Sequence, residues 1–169
     1  MGDENAKKRK DGRWEIRVTV CKKNGKSGQH SVYGRTLEEA IAKRDAFIKS
    51  NMEEVLAENR QREDIVYHKF LAKFKKMKRP VLKASSFRQY ELMIDKHIQP
   101  YLGSLKLSEI TTASIERFAS TVLQFGWRDT ESEMAPKSVE TMVSIVYQTI
   151  RVARKAGFRV ADEFCEPTI

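Results

Sequence analysis

The chain has 169 residues, 40% of them hydrophobic, with a formal net charge of +9 and a pI near 9.6. This size allows one medium domain or two small ones, and no apolar run approaches the roughly 20 residues that span a bilayer. The N-terminus lacks the apolar core of a signal peptide, so we expect a cytoplasmic protein. Because Cys21 and Cys165 are far apart and outside any CxxC pattern, we expect reduced thiols, no metal site and no cofactor.

Positive charge falls into two separated blocks. Residues 1–35 hold ten basic side chains against four acids, and the segment from Lys69 to Arg88 holds eight basic side chains and no acid. Between the blocks lies an acidic spacer that contains Glu53, Glu54, Glu58, Glu63 and Asp64. Such a balance suits a polyanion, either nucleic acid or an anionic membrane surface. Two separate blocks predict two separate contacts with the partner. We favour double-stranded DNA over a membrane because the N-terminus of a helix beside basic residues is suited to binding phosphate.

The first predicted domain, residues 1–52, is a small three-stranded antiparallel sheet packed on one helix. Side chains alternate along residues 13–21, with Trp14, Ile16, Val18 and Val20 on one face, which is typical of a half-buried strand. Residues 6–10 and 29–35 are predicted to flank it, with a turn at Asn24-Gly25. A Thr36–Glu39 capping box starts a helix whose apolar stripe covers that face. The residues at this helical spacing are Leu37, Ala40, Ile41, Arg44, Phe47 and Ile48.

The opposite face of the sheet is predicted to be polar and cationic. A β-ribbon fits the major groove of DNA, where guanidinium and hydroxyl groups reach both base edges and phosphates. The alternative is an ordinary solvated face, and we favour DNA binding because the loop that follows the strand extends the same charge. The candidate residues are Arg13, Arg17, Thr19, Lys22, Lys23, Lys26, Ser31, Tyr33 and Arg35.

Residues 53–64 are predicted to be a helical, acidic linker to a second domain, residues 65–160, built of four helices. The first of these helices stops at Arg79-Pro80. A Ser86–Gln89 capping box predicts the start of the second helix, and Pro100 with Gly103 predicts its end. Thr111 is the predicted N-cap of the third helix, which Gly126 closes.

The fourth helix is predicted to run from Pro136 to Gly157 and is strongly amphipathic. Its apolar face is predicted to contain Val139, Met142, Val143, Val146, Ile150 and Ala153. A second row of hydrogen-bonding and cationic residues recurs at spacings of three and four and contains no acid, with Glu140 off the row. An ordinary solvated face would include acids, so the row favours a helix that faces nucleic acid. Its members are Lys137, Thr141, Ser144, Gln148, Arg151 and Lys155.

Several motifs in order resemble the core-binding domain of tyrosine recombinases of the phage and transposon integrase family. The motifs are Ser-Phe-x-x-Tyr at residues 86–90, His-Ile-x-Pro-Tyr-Leu-Gly at 97–103, Leu-x-Leu-Ser-Glu-Ile-Thr at 105–111 and Pro-Lys-Ser-Val at 136–139. The preceding sheet and helix resemble the arm-binding domain of such integrases. The sequence departs from the family at Ala135, where a Ser or Thr cap is common, and in a longer loop at 126–135.

The resemblance implies an α+β protein that binds DNA at arm sites through the sheet and at a core site through an orthogonal bundle of four helices. It implies integration and recombination of a mobile genetic element, with tetramers on DNA as part of a full-length recombinase, whereas this chain alone is expected to be a monomer. The implied core contacts are Lys83, Ser85, Ser86, Arg88, Gln89, Lys137, Ser138, Thr141, Ser144, Gln148 and Arg151.

Strand cleavage in that family uses a separate catalytic domain with Arg, Lys, His and a nucleophilic Tyr, and no such set occurs in this sequence. We therefore expect no catalytic residue here, with residues 161–169 as the start of a linker to a missing catalytic domain. Two alternatives stay open. One is a stand-alone DNA-binding regulator built from the same modules, and the other is a helical interaction module whose basic charge is incidental.

Overall fold

The computed structural model describes residues 6–21, 27–125 and 134–165, which divide into two compact units. The first contains the described residues up to Gln61 together with Cys165, and the second spans Arg62–Phe164. Three strands and a helix make up the first unit and helices make up the second, which confirms the predicted α+β class. None of the helices in these ranges has the length and apolar character needed to cross a membrane.

The strands of the first unit form an antiparallel sheet in the order β1-β2-β3. β1 spans Ala6–Lys8, β2 spans Trp14–Cys21, and β3 spans Ser27–Gly34. Glu15 of the central strand lies opposite Lys7 on one side and Tyr33 on the other. Residues directly opposite each other project from the same face, so this register fixes which side chains share the outer surface of the sheet.

Helix α1, Leu37–Gln61, begins at the predicted cap. The Thr36 hydroxyl oxygen accepts the Glu39 N–H at 3.1 Å, and the Glu39 carboxylate accepts the Arg35 N–H at 2.7 Å. The carboxylate thus reaches one residue further back than the usual box, in which it would accept the N–H of the cap residue itself. Its pKa is lowered, chiefly by the hydrogen bond from Lys43.

The core of the first unit is small. Its buried residues are Ile16, Val18, Val32 and Ala40, surrounded by the partly buried Ala6, Trp14, Val20, Leu37, Ile41 and Phe47. Gly34 permits the close approach of α1, because a Cβ at this position would lie 2.4 Å from the Ala40 nitrogen. Ile48 is 41% exposed, so the prediction that it belongs to the buried stripe is wrong, and the stripe ends at Phe47.

The described residues of the second unit form four longer helical stretches, besides the 3₁₀ turns at Leu107–Glu109 and Asp162–Cys165. Three are uninterrupted: α2 (Tyr67–Lys78), α5 (Thr112–Phe125) and α6 (Pro136–Lys155). The other consists of α3 (Ala84–Met93), a π-helical segment (Ile94–Ile98) and the short α4 (Gln99–Leu102). Large apolar side chains from all four stretches are fully buried, among them Phe70, Ile98, Ile115 and Ile145. The unit therefore has a much larger core than the sheet unit.

A polar contact crosses this core between α2 and α6. The Tyr67 hydroxyl bonds to the Thr149 hydroxyl, which in turn donates to the Val146 carbonyl at 2.7 Å. Since the Thr149 proton is used in that second bond, Tyr67 donates to Thr149. Burial raises the pKa of Tyr67. The two buried hydroxyl groups are therefore both hydrogen-bonded, and the bond between them connects the two helices.

The predicted Ser86–Gln89 capping box is wrong. Helix α3 begins at Ala84, its N-cap is Lys83 without a side-chain cap, and the Phe87 N–H already bonds to the Lys83 carbonyl at 2.9 Å. Ser86 therefore lies inside the first turn of α3 and has a helical backbone. Its hydroxyl group is not in the N-cap position, from which a side-chain oxygen accepts a hydrogen bond from a first-turn backbone N–H. The turn after α2 fixes the residue at which α3 begins. In this turn the N–H groups of Val81 and Leu82 both donate to the Lys78 carbonyl.

Gly103 follows the last residue of this helical path, Leu102, as predicted, whereas the prediction that Pro100 stops the helix is wrong. The π-helical segment precedes the proline, and the Gln99 N–H reaches back five residues to the Ile94 carbonyl. A proline inside a regular helix lacks an N–H and crowds the carbonyl four residues earlier. The wider turn and the position of Pro100 in the first turn of α4 avoid that conflict.

The caps of α5 and α6 follow the sequence more closely. The Thr111 hydroxyl oxygen accepts the Ser114 N–H at 3.2 Å, which confirms Thr111 as the N-cap of α5, while Gly126 lies outside the described residues. Pro136 opens α6 behind Ala135, which provides no side-chain cap. Gly157 follows the helix with a φ of 86°, a left-handed conformation that suits glycine.

Candidate nucleic-acid interfaces

The exposed face of the sheet carries a cluster of cations around one aromatic ring. The guanidinium carbons of Arg9 and Arg13 lie 5.4 and 6.0 Å from the centre of the Tyr33 ring. Arg17 is two residues further along the same face of β2 from Glu15 and is exposed. Guanidinium groups are attracted to aromatic faces, so Tyr33 restricts the positions of the first two arginines.

Glu15 lies in the middle of this cluster. Its Oε1 atom accepts hydrogen bonds from Arg17 Nε at 3.2 Å and from Ser31 Oγ at 3.1 Å, and its Oε2 atom lies 3.7 Å from Arg9 Nη1. The Glu15 side chain is only 13% exposed. The hydrogen bond from Arg17, supported by Ser31, lowers the pKa of Glu15, so the carboxylate stays charged and orders its neighbours.

Asp11 holds the third guanidinium group. Arg13 donates to Asp11 Oδ2 from Nε at 3.0 Å and from Nη2 at 2.7 Å, and these bonds lower the pKa of the carboxyl group. Three arginines therefore share two carboxylates, which leaves the cluster with a small surplus of positive charge. Its main property is that the guanidinium groups are ordered.

The structure brings four of the predicted sheet residues together in this cluster, namely Arg13, Arg17, Ser31 and Tyr33. Thr19 is exposed further along β2, opposite Gln29, and Arg35 is exposed just after β3. Lys22, Lys23 and Lys26 lie outside the described residues. Sequence reasoning did not select Arg9. In an extended chain, residues two apart point to the same face, so Arg9 could have been placed on the same face as Lys7.

The second candidate surface is on the helical unit and includes the start of α3. The predicted residues there all have exposed side chains, and they are Lys83, Ser85, Ser86, Arg88 and Gln89. The first turn of a helix leaves backbone N–H groups without intrahelical partners, so this end of α3 combines a positive dipole with nearby cations.

Helix α6 supplies the rest of the predicted helical surface. Lys137, Ser144 and Arg151 are exposed, whereas Ser138, Thr141 and Gln148 are half-buried. The Thr141 hydroxyl donates to the Lys137 carbonyl of its own helix at 2.9 Å, which leaves its oxygen as an acceptor only. The six residues thus differ in how readily they present donors to a ligand.

The buried side of α6 is rotated slightly from the prediction. Ile145 and Thr149 are fully buried although the prediction did not include them, and Val143, which it did include, is only half-buried. The shift follows from the Tyr67–Thr149 contact, because a buried hydroxyl partner on α2 draws Thr149 into the core. The periodic spacing of apolar residues cannot predict that a polar residue such as Thr149 lies in the core.

Glu140 borders the polar row of α6 and forms an ion pair with the first residue of that row, Lys137. The Lys137 ammonium lies 2.9 Å from a Glu140 oxygen, and this hydrogen bond raises the pKa of Lys137. Residues three apart on a helix are neighbours, which is why Glu140 lies beside Lys137 at the edge of the row. The pair cancels one positive charge at the start of α6.

The α3 and α6 surfaces meet at Gln148. Its Oε1 atom accepts the Tyr90 hydroxyl of α3 at 3.2 Å and lies 3.5 Å from the Lys78 ammonium at the end of α2. Sequence reasoning selected neither Tyr90 nor Lys78 as a candidate contact. Lys78 belongs to the basic segment from Lys69 to Arg88 and could have been selected on that ground. Nothing in the sequence indicates that Tyr90 or Lys78 contacts Gln148.

Within the described ranges, no three His, Cys, Asp or Glu side chains form a group that could hold a metal ion. His97 is 5% exposed in the core of the helical unit, and burial lowers its pKa. Cys165 is a buried free thiol. These residues belong to the packing of the chain.

Residues 66–123 match the family model of the phage integrase N-terminal SAM-like domain. The match covers roughly a third of the chain and includes helices α2 to α4 and most of α5. Searches of curated proteins and of solved structures found no match. Residues 66–123 are thus similar to the N-terminal SAM-like domain of phage integrases, and this similarity supports a DNA-binding module of the tyrosine-integrase type in this part of the helical unit.

Proposed function

We propose that this chain is the DNA-binding part of a site-specific tyrosine integrase that integrates and excises a mobile element. In this proposal the sheet binds arm sites, the helical unit binds the core attachment site, and the chain binds each as a monomer. The observation that carries the proposal is the family match over residues 66–123. The proposal gives the described residues no chemical step, because their role is to bind and position DNA.

The exposed side chains of α3 and α6 support the helical half of the proposal. Arg88 and Gln89 on α3 and Ser144 and Arg151 on α6 are of the types that contact phosphates and base edges in DNA complexes. The Tyr90–Gln148 hydrogen bond joins the two helices, so both present their polar residues from one connected framework. A helix of this size fits the major groove.

The arginine cluster supports the sheet half. Arg9, Arg13 and Arg17 are held by Asp11 and Glu15 on a solvated sheet face, where a two- or three-stranded ribbon is narrow enough to approach bases. An unordered cationic face would attract phosphates without fixing any orientation. An ordered one favours the planar, two-bond contacts that arginine makes with guanine or phosphate.

A mobility-shift titration of the whole chain against duplex DNA at increasing salt tests the proposal. Neutralising phosphates releases counterions, so the logarithm of affinity should fall linearly with the logarithm of salt concentration, by about 0.9 for each phosphate contacted. Replacing Arg88 by Ala should weaken binding and reduce this slope by about one. Arg117→Ala removes the same charge from the exposed side of α5 and should leave affinity and slope nearly unchanged.

Arg17→Ala provides the corresponding test of the sheet. We expect it to weaken binding to DNA selected by the first unit and to leave binding to DNA selected by the second unit almost intact, whereas Arg88→Ala should do the reverse. An affinity that does not change with salt concentration would contradict the proposal that the chain binds DNA. Equal losses on both DNAs for both variants would contradict two separate binding surfaces.

A further inference from the structure

Gln148 is held from two directions by side chains of neighbouring helices. Lys78 at the end of α2 lies 3.5 Å from its Oε1 atom, and the Tyr90 hydroxyl of α3 donates to the same atom at 3.2 Å. The amide nitrogen, Nε2, lies on the other side and faces the Ser144 hydroxyl oxygen at 3.5 Å. The three helices of the candidate surface are thus connected through one amide group.

The orientation of this amide follows from the chemistry of its neighbours. An ammonium group has three donors and no acceptor, so the end of the amide beside Lys78 is the carbonyl oxygen. A carbonyl oxygen has two lone pairs, and Lys78 and Tyr90 supply one donor to each. Gln148 is half-buried, which further restricts rotation of its side chain. The NH₂ group, which has only the long 3.5 Å contact with the Ser144 hydroxyl oxygen among the described side chains, is the part of the amide that remains for a ligand.

Resting on the proposed function, we propose that Gln148 reads a guanine in the core site through its N–H groups alone. An unrestrained glutamine contacts adenine with two bonds, accepting from the adenine amino group and donating to its N7 atom. With its oxygen held by Lys78 and Tyr90, Gln148 cannot accept the adenine amino proton. Guanine presents two acceptors, O6 and N7, at the same edge and matches a side chain that only donates.

The surroundings of Gln148 fit a base edge. An open groove on α6 is lined by Ser144, Tyr147, Gln148 and Arg151, with Glu140 at its end. Arg151 is exposed about one helical turn beyond Gln148 and about two turns beyond Ser144, which suits a contact with the phosphate backbone. Tyr147, 36% exposed, offers an apolar surface beside the amide. Lys78 and Tyr90 are positioning residues, since they act on DNA through Gln148.

The first experiment selects duplexes from a random-sequence library with the purified whole chain and with two variants. We expect the wild type to enrich guanine at one base pair, and Gln148→Ala to lose that preference by about ten-fold while keeping the other positions of the motif. Gln148→Glu keeps an oxygen for Lys78 and Tyr90 but has no N–H group. It should stay folded and lose the same preference.

The second experiment frees the carbonyl oxygen. The double variant Lys78→Met with Tyr90→Phe leaves Gln148 able to accept and to donate, so the preferred base at that one position should change from guanine to adenine. Lys76→Met removes an exposed charge from the same helix away from Gln148 and should keep guanine. Thermal melting of each variant confirms that the comparison is made on folded protein.

The outcomes separate this inference from the proposed function. Adenine at the affected position in the wild-type motif, or identical motifs for the wild type, Gln148→Ala and Gln148→Glu, would overturn the inference while DNA binding stands. The same holds if the wild type binds DNA in a salt-dependent way but enriches no sequence. Failure of the wild-type chain to bind any duplex would overturn the proposed function and the inference together.

Discussion

On the sheet, three guanidinium groups lie against two carboxylates and an aromatic ring. On α3 and α6 the predicted cations are exposed, and in the described residues Lys137 is the one among them with an ion pair, to Glu140. The polar groups of the helical surface are ordered mainly at Gln148. The two candidate surfaces therefore differ in whether charge is fixed before a ligand arrives.

This difference has a thermodynamic consequence. Ordering a long side chain costs conformational entropy, and the sheet arginines lose part of that entropy when the sheet folds. The exposed cations of α3 and α6 lose it only on binding. The sheet is thus suited to recognition that depends on geometry, and the helical surface to stronger dependence on phosphate charge and salt.

The largest expected effect comes from the unequal cores. Ile16→Ala removes a fully buried side chain from a core with few others and should cost about 2–5 kcal/mol, enough to unfold the sheet unit. Ile145→Ala removes an equally buried side chain from the larger core and should lower the melting temperature of the helical unit while leaving it folded.

Hydrogen exchange resolved by peptide distinguishes the two units in this experiment. In Ile16→Ala we expect amides of β2 and β3 to lose protection while those of α5 and α6 keep it. Loss of protection in both units at once would show that they unfold together, and retained protection in the sheet would show that its stability has another source.

The next effect concerns the acids on each surface. Glu140→Gln frees Lys137 and removes a negative charge beside the proposed phosphate path, so non-specific affinity should rise by about two- to five-fold at low salt. Glu15→Gln also removes a negative charge but releases Arg17 and Arg9, so binding to sequences selected by the sheet should weaken while non-specific binding does not.

Both glutamine variants are compared by titration with selected and random duplexes at two salt concentrations. If Glu15→Gln strengthened binding to all DNAs as Glu140→Gln is expected to do, ordering of the arginines would have no role. If neither variant changed affinity, both acids would be ordinary solvated side chains.

The smallest expected effect is a difference in pH dependence. Asp11 and Glu15 have lowered pKa values in the fold, so their contribution to stability is complete above their ordinary values of 3.8 and 4.5 and is lost as pH falls through the lowered values. Asp11 is exposed and Glu15 lies at the solvated face of the sheet with part of its side chain accessible, so this contribution is small.

His97 acts in a higher pH window. Burial lowers its pKa below 6.5, so below pH 6.5 the unfolded chain takes up a proton that the folded chain does not, and the helical unit loses stability. Melting curves between pH 7 and pH 5 should show this loss for the helical unit and none from the sheet carboxylates. His97→Gln should remove the dependence, and an unchanged slope would assign it to another group.

The sequence predicts the parts of the fold that follow from local patterns. Alternation along β2, the Thr36 and Thr111 caps and the Pro136 start of α6 depend on neighbours within a few residues, and the structure confirms them. The α3 start at Ala84 was missed because the turn after α2 decides it.

The candidate surfaces show the same limit. Alternation and helical spacing predict which cationic residues are exposed, but not that Glu15 connects Arg9 with Arg17 or that Tyr90 and Lys78 meet at Gln148. These contacts join residues of different strands or helices. Whether the predicted residues bind DNA remains a prediction that the proposed experiments test.

The π-helical segment between α3 and α4 sets the rotational phase of α3. A regular helix advances 100° per residue, so one additional residue accommodated in a single turn rotates everything before it by about that angle relative to everything after it. Ile98 and Leu102 are buried after the segment, while Arg88 remains exposed and Tyr90 points to α6 before it. A version of this helix shortened by one residue within Ile94–Ile98 would keep its core contacts and turn Arg88 away from the surface that it shares with α6.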